Sequence, residues 1–158
     1  MIMPRMAARY MLSEHWDGKL PVDPFAIARS AGVTVEHDAE MEPKELGRFE
    51  FVDGKPHIYT NPNEPVSRLR YVVAHELGHF ALEHGKRFVD TALQFWPVHY
   101  DRAEHQANQF ALELLVPDFA LNIMISKRNI MNFVRLTEIF AVSDLVMKHR
   151  LKKLKWIY

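Results

Sequence analysis

The chain has 158 residues, 48% of them apolar, which suits one domain with a real core and excludes a disordered chain. It has no cysteine, so there is no disulfide framework and any metal must be held by His, Asp or Glu. Its 20 basic and 20 acidic side chains balance, so overall charge makes no argument for nucleic acid, and no apolar run approaches the roughly 18 residues of a membrane span.

The N-terminus is too broken by Pro4, Arg5 and Arg9 to be a signal-peptide core. Residues 5–13 read as a short, weakly patterned helix, and Trp16-Asp17-Gly18 as a turn. Asp23 is an N-cap signal with Pro24 at the first helical position, and Gly32 closes that helix. Val33 to Glu36 alternates like a strand. Leu46 to Val52 and Pro56 to Tyr59 read as two more strands joined by the hairpin signal Asp53-Gly54.

Asn61 to Pro65 breaks the sheet and leads into a long helix, Val66 to about Glu83. Gly85 to Tyr100 reads as irregular and aromatic, in the manner of an ordered flap. Asp101 caps a second strong helix, Arg102 to Val116, which Pro117 stops. Helices follow over Asp118 to Ser126, Met131 to Ala141, and from the N-cap Ser143 to about Leu154. No repeat, low-complexity tract or linker interrupts the chain. The expectation is a single domain over 1–158, with closing helices at about 118–154. Its class is α+β, mostly helical, with a small three-stranded sheet.

The chemistry lies in the long helix, which holds His75-Glu76-Leu77-Gly78-His79, a His-Glu-x-x-His motif. Residues four apart on a helix share a face, so the two imidazoles point the same way and can bind one metal ion. Glu76 sits beside them, where a carboxylate takes a proton from water. Two histidines hold a metal poorly, and catalytic zinc usually has three protein ligands. The metzincin spacing would need Gly at 82 and His at 85, but the chain has Leu82 and Gly85. The better third ligand is Glu104, at the start of the next helix. It lies on a face of small residues, Ala107, Asn108 and Ala111, where two helix axes can approach to about 8 Å. The spacing therefore predicts one zinc ion on His75, His79 and Glu104, with Glu76 as general base.

The block from Arg70 to His84 resembles the active helix of the ImmA/IrrE family of metallopeptidases, and the block from Glu104 to Pro117 resembles that family's second block. Pro21-Val22-Asp23-Pro24, Ile27-Ala28 and Gly32-Val33 are similar to its opening, and Leu136 to Leu151 to its closing helices. The resemblance covers roughly residues 21–154. It implies a zincin-like fold and a cytoplasmic zinc endopeptidase that cleaves a helix-turn-helix repressor and so derepresses genes. It carries over His75, His79 and Glu104 as ligands and Glu76 as base. It supplies no oxyanion stabiliser, for which Tyr59, His84, His99, Tyr100 and His105 are the candidates.

Other residues have plainer readings. His84 is expected to be a surface histidine at a helix end. Asn108 serves either a local backbone group or the orientation of a ligand. The basic stretch Lys148, Arg150, Lys152, Lys153, Lys155 is foremost a solvated helix face. The alternative function is a non-catalytic zinc-binding regulator that binds a repressor, or DNA through that basic helix.

Overall fold

The structure is a computed structural model that describes residues 2–91 and 101–158. The helix α1 (Pro4–His15) is followed by α2 (Pro24–Ser30) and the strands β1 (Thr34–His37), β2 (Glu45–Val52) and β3 (Lys55–Thr60). Next come α3 (Val66–Ala81), β4 (Arg87–Thr91) and α4 (Arg102–Leu115). The chain closes with α5 (Asp118–Asn122), a π-helical turn (Ile123–Lys127), α6 (Phe133–Phe140) and α7 (Asp144–Lys153).

The ends of these elements follow local chemistry. Asp23 Oδ1 accepts the backbone N–H groups of Phe25 and Ala26 at 3.0 and 3.2 Å. Asp101 Oδ1 accepts from Glu104 N at 3.1 Å, and Ser143 Oγ from Val146 N at 3.2 Å. Each satisfies an amide that the first helical turn leaves without a partner. Asp53 and Gly54 both have positive φ, 52° and 76°, as a tight hairpin between twisted strands requires. The helix expected over Asp118 to Ser126 is shorter, because the π-helical turn takes over at Ile123.

The sheet has four strands in the order β1-β3-β2-β4, not the three expected. The fourth lies in the stretch expected to be irregular. Its sequence, Arg-Phe-Val-Asp-Thr, is short and half-buried, so its strand character comes from pairing with β2 and not from a strong period. The rest of the expected flap, residues 92–100, lies outside the described residues. β1 runs parallel to β3, while β2 is antiparallel to both of its neighbours. Gly47 of β2 faces Asp90 of β4, beside a register irregularity between Glu45 and Gly47.

The apolar core is one continuous cluster. It takes Ala8 and Leu12 from α1, Phe49 and Ile58 from the sheet, Leu77 from α3, Phe110 and Leu114 from α4, and Met147 from α7. Burying each large side chain contributes about 1.5–3 kcal/mol. No single helix of the described residues is long and apolar enough to cross a membrane.

Candidate metal centre

The site forms where α3 crosses α4. A Cβ on Gly78 would stand 3.1 Å from the Ala107 Cα and from the Phe110 ring, so the crossing needs a glycine on one helix against an alanine on the other. That contact brings Glu104, on the first turn of α4, over the histidine face of α3. His75 and His79 are wholly buried, and Glu104 is 6% exposed. His75 Nε2 lies 3.2 Å from His79 Nε2 and 3.0 Å from Glu104 Oε2. His79 Nε2 lies 3.2 Å from Glu104 Oε1.

The remaining ring nitrogens are tied down by neighbours. His75 Nδ1–H donates to Asn108 Oδ1 at 2.8 Å, and the Tyr71 hydroxyl donates to the same oxygen at 3.2 Å. His84 Nε2–H donates to Gln106 Oε1 at 2.9 Å. In neutral His84 this leaves Nδ1 as an acceptor, so His79 Nδ1–H donates to it at 2.9 Å. Burial lowers the pKa of His84 and favours that neutral form. In their neutral forms both rings are thus held in the tautomer that aims an Nε2 lone pair at the centre. Phe88 of β4 stacks on His79 at 4.0 Å and 8°.

A fourth side chain joins from the sheet. Asp90 Oδ2 lies 3.4 Å from both His75 Nε2 and His79 Nε2. Donor atoms of His75, His79, Asp90 and Glu104 all lie within 4.8 Å of one another, and the four could hold a metal ion. The set fits a zinc-sized cation. Ligands about 2.0–2.2 Å from a tetrahedral ion stand roughly 3.3–3.6 Å apart, close to the observed 3.0 to 3.4 Å.

Glu76 lies against the sheet. A Cβ on Gly47 would meet Val72 Cγ1 at 2.5 Å and Glu76 Oε1 at 3.2 Å, so only glycine lets β2 come this close. Neither carboxylate oxygen of Glu76 has a hydrogen-bond partner among the described residues. Burial, and then the charge of Asp90, raises its pKa well above the ordinary value. Burial works against a charge on His75, but the carboxylates of Asp90 and Glu104 outweigh it and push His75 up to about 9. The buried carboxylates therefore draw positive charge into the site.

The sequence-expected residues His75, Glu76, His79 and Glu104 do come together. Asp90 was missed, because it belongs to the stretch read as irregular. His84 is not the expected surface histidine. The helix ends at Ala81, Glu83 takes a left-handed φ of 55°, and the chain turns back so that His84 meets His79. Asn108 takes the orienting role of its two readings. Tyr59 pairs in register with Arg48, whose guanidinium lies over its ring at 4.5 Å. Both side chains occupy the sheet face opposite to Gly47 and Glu76. His99 and Tyr100 lie outside the described residues.

Comparison with known proteins agrees with this geometry. A peptidase family model described as the IrrE N-terminal-like domain matches residues 28–152. Metallopeptidase ImmA of Bacillus subtilis (strain 168) is 40% identical over 60 residues, which cover 38% of this chain and 35% of that protein. The match therefore spans about a third of the relative's length. The extent of the family match, together with the buried histidine and carboxylate cluster, shows that this chain belongs to the ImmA/IrrE family of metallopeptidases.

Proposed function

We propose that the protein is a zinc-dependent endopeptidase. It cuts a helix-turn-helix transcriptional repressor and so derepresses genes, in the cytoplasm where such a substrate works. The observation that carries the peptidase reading is the convergence of His75, His79 and Glu104 within 3.0 to 3.2 Å, beside a buried Glu76 whose carboxylate oxygens accept no hydrogen bond among the described residues. A structural carboxylate would have a partner. The choice of a repressor as substrate follows from the family resemblance of the two central blocks.

His75, His79 and Glu104 would hold the ion, and two imidazoles with one carboxylate suit zinc. Zinc bound there would lower the pKa of a water to about 7 and polarise the carbonyl under attack. Glu76 takes one proton from the attacking water as its oxygen joins the carbonyl carbon. It returns that proton to the amide nitrogen as the C–N bond breaks, leaving a carboxylic acid and an amine. Burial and the charge of Asp90 raise the pKa of Glu76, and a raised pKa favours holding the accepted proton until the amide nitrogen takes it. Asn108 and His84 keep the ligand rings from turning.

The test uses purified, zinc-loaded protein and the helix-turn-helix regulator encoded nearest to its gene, followed by intact mass. One discrete cut that vanishes in Glu76→Gln is expected. An uncut regulator held in a stable complex by protein carrying one zinc per chain would overturn the peptidase in favour of a non-catalytic regulator.

A further inference from the structure

Asp90 has no role in the chemistry above, yet its placement is specific. It is the only fully buried residue of β4, at 1% exposure. Its Oδ2 has no hydrogen-bond partner among the described residues, and it stands 3.4 Å from each of the two metal-facing nitrogens. Three protein ligands leave the fourth corner of a tetrahedron open, and in catalytic zinc sites water stands there. Four protein ligands make a closed site, which is the pattern of structural zinc. The spacings of Asp90 are those of the fourth corner.

We propose that Asp90 is a fourth protein ligand, so that the resting metal site is closed and admits water only when β4 carries Asp90 away. This rests on the reading of His75, His79 and Glu104 as metal ligands. The strand is built to move. It has five residues, lies at the edge of the sheet and pairs only with β2 among the described residues. The ladder is already irregular at Gly47, directly opposite Asp90, and such irregularities weaken pairing locally. Beyond its ladder with β2 and the Arg87–Glu50 ion pair at 3.0 Å, its inward contacts are Asp90 on the cluster and Phe88 on His79 and His84, so its inner face is held at the metal site. Displacing one carboxylate would open the corner beside Glu76 without disturbing the helices that carry the other ligands.

Cobalt(II) in place of zinc gives a spectroscopic test independent of peptidase activity. Wild type, Asp90→Ala and the near-isosteric Asp90→Asn would be loaded with cobalt. Affinity would be measured against a chromophoric chelator, and the visible spectrum followed as acetohydroxamate is added. Asp90→Ala is expected to bind cobalt at least about tenfold more weakly and to change its spectrum with acetohydroxamate, while the wild-type spectrum stays unchanged. Asp90→Asn, which should pack like the wild type, is expected to weaken binding in the same direction. Either of two results would overturn the closed site: variants with wild-type affinity and spectrum, or a wild type that takes acetohydroxamate as tightly as Asp90→Ala. If wild type binds no cobalt, or His75→Ala binds it equally well, the three-ligand reading itself fails and the closed site falls with it.

Discussion

Two buried glutamates sit on the same helix, α4, in opposite electrostatic circumstances. Glu113, 2% exposed, is matched by arginine. Arg150 donates to it from α7 and also donates through Nε to the Val116 carbonyl at 2.9 Å, while Arg9 of α1 stands 3.6 Å away. Glu104, 6% exposed, lies among the carboxylates of Asp90 and Glu76, with only imidazoles between them. Among the described residues, no lysine or arginine makes an ion pair with any of the three. The first cluster carries its own counter-charge and fastens the last helix to the core. The second is short of positive charge, as a cation-binding site must be. The same residue type on one helix therefore locks the fold at one end and, at the other, stands in a group that could hold a metal.

The comparison predicts different responses to perturbation. The largest effect is chemical. Glu76→Gln is expected to lower cleavage of the proposed repressor substrate by about 10²–10⁴-fold, the usual worth of a general base, while one zinc per chain is retained in a metal analysis. Loss of zinc along with activity would show Glu76 to be part of the ligand set. Next, Glu113→Gln leaves the Arg150 charge buried beside a neutral amide and is expected to cost about 3–5 kcal/mol. Denaturant unfolding would measure this, and the loss should be the same with and without metal if the two clusters are independent.

Metal removal acts only on the other cluster. Chelation is expected to lower the melting temperature, because it removes up to about 4 kcal/mol of stability that free zinc at a thousandfold excess over its dissociation constant would supply. The difference should disappear in His75→Ala. Asn108→Ala removes the acceptor that fixes the His75 ring and is expected to weaken zinc binding by about 10–100-fold; because it also leaves the Tyr71 hydroxyl without that acceptor, the metal-free protein should lose about 1–3 kcal/mol of stability.

The smallest effect is at the surface. Asp118 pairs with Arg5, and with Arg9 at 2.7 Å. Burial raises its pKa, but the two guanidinium groups outweigh that and hold it below the ordinary 3.8. A depressed carboxylate contributes stability above the unfolded value and loses it as pH falls through the folded one. Asp118→Asn should therefore cost no more than about 1 kcal/mol at neutral pH, and the cost should shrink below pH 3.8. A cost that grows in acid would contradict the assignment.

Much of this protein was legible in local spacing. Four residues between His75 and His79 make one helical face whatever else the chain does. The caps Asp23, Asp101 and Ser143 are read from the residues they precede, and Asp53-Gly54 from the φ values it tolerates. Glu104 was found because the alanines after it announce a close helix contact, and Gly78 supplies the other half of that contact. These features depend on neighbours within about one turn of helix, so the sequence alone determined them.

Tertiary structure decided the rest. Asp90 reaches the histidines because β4 adds to the sheet opposite Gly47, a pairing between residues far apart in the chain that no local period encodes. His84 became a support for His79 because the helix stopped at Ala81 and turned back on a left-handed residue. Arg150 looked like one of five cations on a solvated tail, but it is 4% exposed and locked to Glu113. In each case a side chain of ambiguous local character took its role from the partner that folding brought to it.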